Sequence, residues 1–255
     1  MRPSPRSAIA LLVAAAWGAP AAAQDVAWQV TPRVERSDVS VRGNDGRWDA
    51  WSVVAARVAG PGQQVGASLA RQDRNGRVDD ELQLFASGRR GGWGASASIQ
   101  ASTDPVFLPR WGYQLQVDRS VGRNRSAGLG YRTLRFNGSR VHLGSAHMVF
   151  YRGDDELGVE YRFGRNAALD HDIRVVQARA VMFRGRNRLG LYLARGDYLF
   201  DALGIPGGDG AGWAAHAAFA RSITPTTTLQ WEVGAGGEAD VFRQRSIAVS
   251  VRYSP

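Results

Sequence analysis

The chain contains no cysteine and no lysine in 255 residues. Without cysteine there are no disulfides and no thiolate metal sites. A small secreted domain stapled by disulfides is therefore excluded. Beyond the first two dozen residues there is no run of about 18 apolar residues, so no transmembrane helix is expected. There is no helical repeat of about 34 residues, no HExxH and no glycine-rich phosphate loop. "GDDE" at Gly153–Glu156 is too short for a calcium loop and reads as a turn. All 32 basic residues are arginine, against 23 acidic ones, for a net charge of +9. Arginine-only basicity is the mark of a GC-rich coding sequence; it would also suit recognition of phosphates or sulfates. The arginines are dispersed through the chain, with no recognition helix, stacking platform or basic tail, so nucleic acid is not an expected partner.

What is present begins with an export signal. In "MRPSPRSAIALLVAAAWGAPAAAQ", Arg2 and Arg6 form a positive start, Ala8 to Trp17 a short apolar segment, and Ala21 to Ala23 a small-residue cleavage site. Residues 1–23 are expected to be removed, leaving 24–255 as one domain with a charge of +7 once Arg2 and Arg6 are lost. No cysteine follows the cleavage site, so no lipoprotein anchor is expected.

The remainder alternates. "WGYQLQVD" sets Trp111, Tyr113, Leu115 and Val117 against Gly112, Gln114, Gln116 and Asp118. "ELGVEYRF" sets Leu157, Val159, Tyr161 and Phe163 against Glu156, Gly158, Glu160 and Arg162. Period two places these sets on opposite faces of a strand. About fourteen such segments of roughly ten residues follow one another between turn residues, the signature of a transmembrane β-barrel. They centre on 28–40, 48–58, 64–73, 80–87, 93–102, 111–121, 126–136, 140–151, 156–164, 173–183, 188–198, 212–221, 226–236 and 243–253. Twelve strands is the alternative, because 28–40 and 173–183 are poorly patterned. Aromatics at strand ends (Trp93, Trp111, Tyr131, Tyr151, Tyr161, Phe163, Trp213 and Tyr253) suit interfacial girdles. Backbone amides in hydrocarbon must pair internally, so the last strand is expected to close on the first. With the termini periplasmic, the periplasmic turns should be short. The external loops, "VRGNDGR", "RNGRVDD" and "TDPVFLPR" among them, should be longer. A soluble secreted β-sandwich also alternates and is the minor alternative.

The expected fold is thus all-β: a closed antiparallel transmembrane barrel, monomeric, in the outer membrane. Its partners are expected to be outer-membrane lipid, lipopolysaccharide and the barrel-assembly machinery, for which Tyr253 is the terminal aromatic. The lumen-facing candidates are Gln114, Gln116, Asp118, Arg132, Glu160, Arg162, Gln177, Arg179, His216, Gln230, Glu232 and Arg252. Mixed Arg and Glu in a narrow barrel pair across strands and fill it; if the lumen conducts, an arginine-biased wall favours anionic solutes such as acidic saccharides. The enzyme alternative is a lipid-modifying barrel using Ser145 and His147, which share a face in "RVHLGSAHMVF" while His142 lies on the other. Neither has an obvious orienting carboxylate. "ALDHDI", with Asp170, His171 and Asp172, has no further ligand. No catalytic residues, metal or cofactor are expected.

Five segments, "WDAWSVVAARV", "FLPRWGYQLQ", "LGYRTLRF", "VFYRGDDELGVEYRF" and "LYLARGDYLFD", together resemble the YaiO-type outer-membrane β-barrel proteins. The most specific parts are Gly130–Arg132, Tyr151–Gly153 followed by Tyr161 and Arg162, and Arg195-Gly196. The resemblance runs from about Gln24 to Tyr253 and is to a member without the tetratricopeptide region. It implies an outer-membrane barrel with an envelope-structural or transport role, and no reaction or catalytic residues.

Overall fold

The computed structural model describes residues 27–60, 62–167, 171–197, 211–238 and 241–255. The expected signal at 1–23 lies outside the described residues. Fourteen strands follow in order: β1 (Ala27–Val41), β2 (Asn44–Gly60), β3 (Gln63–Arg74), β4 (Arg77–Arg90), β5 (Trp93–Thr103), β6 (Trp111–Ser120) and β7 (Arg125–Arg135). Then come β8 (Arg140–Arg152), β9 (Asp155–Asn166), β10 (His171–Arg184), β11 (Asn187–Asp197), β12 (Ala211–Ser222), β13 (Thr227–Glu238) and β14 (Phe242–Tyr253). Each pairs antiparallel with its sequence neighbours, and β1 pairs with β14, from Val30↔Tyr253 to Val41↔Phe242, so the barrel is closed. Closure removes the sheet edge that hydrocarbon would not tolerate. In that closing seam Thr31 and Pro32 have no ladder partners on β14, and proline has no N–H to donate there.

The outer surface is apolar. Leu115 is 50% exposed, Val159 45% and Trp93 51%, all on the outside, as strands facing lipid require. The expected parity of β6 holds along its length, with Gly112, Gln114, Gln116 and Asp118 inside. Of the two poorly patterned segments, β1 is regular: Gln29, Thr31, Arg33, Glu35 and Ser37 face in, Trp28, Val30 and Val34 face out. In β10 both faces carry apolar residues. Ile173 and Val175 point inward and bury against Leu134, Val141, Leu143 and Ala194.

The end that carries the termini has tight connections at 91–92, 121–124, 153–154, 185–186 and 223–226. The opposite, external end has longer ones, such as 104–110. Two expected long loops are corrected. "VRGNDGR" and "RNGRVDD" reduce to turns at 42–43 and 75–76, and their flanks continue β2 and β4. Arg42 (φ 50°) with Gly43 (φ 79°), and Asn75 (φ 56°) with Gly76 (φ 81°), take the left-handed conformations of a two-residue hairpin turn.

Candidate functional site

The candidate site is the lumen. Residues paired across the ladder share a face, so the register assigns every inward position. The twelve sequence-nominated polar residues all take inward positions: Gln114 opposite Arg132 and Gln116 opposite Gly130, Asp118 opposite Gly94, Glu160 opposite Gln177, Arg162 opposite Val175 and Arg179 opposite Gly158. His216 lies opposite Gly234, Glu232 opposite Ala218 and Gln230 opposite Ala220; Arg252 lies opposite Thr228. Trp93, Trp111, Tyr131, Tyr161, Phe163, Trp213 and Tyr253 are exposed on the outside. Tyr151 is a correction to the expected girdle: it pairs with inward Glu156 and sets its Oη 3.3 Å from Ser126 Oγ, inside the barrel. Its parity follows Val149, not its outward neighbour Phe150.

Two extended polar groups lie on the described lumen wall, beside smaller pairs such as Arg89 and Asp118, 3.4 Å apart. On β1, β12 and β13, Arg33 Nη1 lies 2.7 Å from Glu35 Oε2 and its Nη2 2.8 Å from Glu232 Oε2. His216 Nε2 is 3.2 Å from the same Glu232 oxygen, and Gln230 Nε2 donates to the other at 2.7 Å. Arg188 Nη2 donates to Gln230 Oε1 at 2.9 Å, linking β11 to the group. The second group spans β4 to β9. Arg162 grips Glu160 through two hydrogen bonds of 3.0 and 3.1 Å. Arg132 Nη2 reaches Gln100 Oε1 at 3.5 Å, and Gln100 Nε2 donates to Glu81 Oε2 at 2.8 Å. Inward glycines make room for these side chains. A Cβ on Gly128 would lie 2.5 Å from the His147 ring, and one on Gly158 2.9 Å from Arg179 Nε.

The external end of the lumen is different. Trp48 and Phe242 pack 6.0 Å apart with Val39 and Val41 on one side. The cluster around Ile173 and Val175 occupies the wall formed by β7, β8, β10 and β11. The 104–110 connection is latched to the β3–β4 wall. The buried Asp79 carboxylate accepts the backbone N–H groups of Val106 (2.8 and 3.0 Å), Phe107 (2.8 Å) and Leu108 (2.7 Å). The Arg74 guanidinium lies between the Trp48 and Phe107 rings, 4.4 and 4.0 Å from their centroids. Asn137 Nδ2 donates to Pro105 O at 2.6 Å from the neighbouring connection.

Ser145 and His147 both face the lumen, and His142 faces out, its Nδ1 2.7 Å from Tyr131 Oη. The register puts a carboxylate opposite His147 after all, Glu160, but both its oxygens are held by Arg162. His147 Nε2 lies 3.4 Å from Gln116 Nε2. His171 and Asp172 fall on opposite faces at the start of β10, and Asp170 lies outside the described residues. Among the described residues no three metal-ligating side chains converge.

Sequence reasoning missed Arg33, Glu35, Glu81 and Arg188, which alternation in β1, β4 and β11 would have placed inside. It also missed the Asp79 latch, for which no local signal exists, because acceptor and amides are 27 to 29 residues apart.

No family model and no curated protein matches the chain. Solved structures do. The CymD monoaromatic hydrocarbon channel aligns with a TM-score of 0.62 at 10% identity, over 91% of this chain and 88% of that one. Omp33 of Acinetobacter baumannii aligns with a TM-score of 0.54 at 14% identity, over 90% and 99%. The translocator domain of the autotransporter NalP from Neisseria meningitidis aligns over 97% and 94% at 13% identity, with a TM-score of 0.48. With the exposed apolar belt and the closed ladder, the likenesses to CymD and Omp33 make the fold that of an outer-membrane β-barrel.

Proposed function

We propose that the barrel is a non-enzymatic conduit or binding channel for small anionic solutes, with acidic saccharides as the favoured class. The observation that carries this reading is an imbalance inside the lumen. Among the described inward carboxylates, Glu35, Asp118, Glu160 and Glu232 pair with arginines, Asp79 accepts backbone N–H groups, and Glu81 accepts from Gln100. Inward arginines that hydrogen-bond neutral acceptors instead include Arg132 (to Gln100), Arg188 (to Gln230) and Arg252 (to Thr228). A wall whose guanidiniums are incompletely neutralised favours anions. Ser145 and His147 support an enzyme less well, because Glu160 is committed to Arg162 and the ladder leaves no cluster of free amides beside them. On this reading the chain is a YaiO-type barrel, inserted as a monomer by the assembly machinery from a precursor that loses residues 1–23.

Reversal potentials of the refolded protein in a planar bilayer under a KCl gradient test the proposal. Anion preference is expected, reduced in an Arg132→Gln/Arg188→Gln/Arg252→Gln variant. Block of the current by a short polyuronate, but not by its neutral counterpart, would narrow the solute to acidic saccharides. A cation-selective pore, or one indifferent to the triple substitution, would overturn it.

A further inference from the structure

The outside of the barrel carries a second asymmetry, unrelated to the lumen. On β1 to β4 two outward arginines near the external end are closely paired with carboxylates, and a third, Arg47, lies opposite Asp38 in the ladder. Arg36 Nε lies 2.9 Å from Asp49 Oδ1, and Arg71 forms two hydrogen bonds of 2.7 and 2.8 Å with Asp80. On β7 to β11 the outward residues at the same end are Arg135, Arg140, Arg165, Arg174 and Arg195, one on each successive strand and all exposed. Arg135 and Arg140 are direct cross-strand partners. Like charges directly opposite each other are unfavourable unless an anion lies between them. The carboxylates on this face are Asp172 and Asp197, both register partners in the Arg165 and Arg174 part of the patch. The contact between Arg174 and Asp172 is 3.8 Å long, with both side chains 65% exposed.

The height of this patch identifies its partner. Arg135 sits beside Trp111, Arg174 beside Phe163 and Arg195 beside Trp213, all of them exposed girdle aromatics. Girdle aromatics mark the boundary between hydrocarbon and headgroups. The guanidiniums therefore lie where the phosphates of the external leaflet lie, and their planar fork matches a phosphate with two parallel hydrogen bonds. We propose that the β7–β11 face binds the phosphorylated glycolipid of the external leaflet, lipid A, with one phosphate bridging Arg135 and Arg140.

The test uses the full barrel in detergent, with native mass spectrometry counting bound lipid. The probes are bis-phosphorylated lipid A, its dephosphorylated form and phosphatidylglycerol. Wild type should retain the bis-phosphorylated form in preference to both others. Arg135→Gln/Arg140→Gln should weaken that retention by roughly tenfold or more, since charge-assisted bonds to phosphate are lost. Arg36→Gln/Arg71→Gln, on the neutralised sector, should leave it unchanged. Heat-modifiable migration of both variants keeps misfolding apart from lost binding. Equal loss in the two variants, no loss in the first, retention of phosphatidylglycerol as strong as that of lipid A, or no retention by wild type would each overturn the proposal.

Discussion

β6 and β10 belong to one sheet, cross the same membrane and have the same outward face, yet only β6 alternates. The difference lies inside. Gln114, Gln116 and Asp118 of β6 face a polar part of the lumen, with Gln116 beside His147 and Asp118 beside Arg89. Ile173 and Val175 of β10 face the apolar cluster at the external end, where Val175 is only 4% exposed. A barrel strand has to be apolar on its lipid face. Its lumen face takes whatever chemistry the local interior supplies. The dyad pattern therefore reports the lipid face reliably and the lumen face only where the lumen is wet.

The comparison is broken most severely on the face the two strands share. Leu115→Arg in β6 and Ala178→Arg in β10 both put a guanidinium into hydrocarbon near mid-strand. Each should cost about 2–4 kcal/mol in urea unfolding from lipid vesicles. Similar losses in the two strands would support the common outward face; a tolerated Ala178→Arg would mean that the parity of β10 is wrong.

The inward faces should separate the strands. Val175→Gln buries an amide in the apolar cluster and should cost about 1–3 kcal/mol. Gln116→Leu removes one long contact to His147 and should cost less than about 1 kcal/mol, a difference read from the same unfolding curves. Asp79→Ala acts at the latch, where three backbone amides would lose their acceptor. It should destabilise by about 1–3 kcal/mol and expose the 104–110 connection to proteolysis, which mass mapping of the cleaved chain would locate. The smallest effect is expected from Ser145→Ala and His147→Ala. Both should leave the membrane lipid profile of expressing cells unchanged, and a wild-type-specific change in lipid A or phospholipid would revive the enzyme reading.

Strand number, strand order and the outward face were legible without coordinates. Each is dictated by a local rule: period-two alternation, turn residues between segments, and the need to pair every amide in lipid. The inward positions of the twelve polar candidates come from the same rule, since one face follows once the other is known. Tyr151 was misplaced because its aromatic character suggested a girdle while its parity pointed inward. The turns at 42–43 and 75–76 were read as loops because charged flanks obscured the Arg-Gly and Asn-Gly signals. Local spacing held no trace of the Asp79 latch, of the Glu160 carboxylate standing opposite His147, or of the apolar wall that Leu134, Val141 and Leu143 share with Ile173 and Val175. Those arrangements join residues on different elements, brought together by the ladder rather than by local spacing. The chain by itself determined that it would close into a barrel with an apolar outside; which groups meet inside was decided by strand register and curvature, because only these bring distant side chains within a few ångströms.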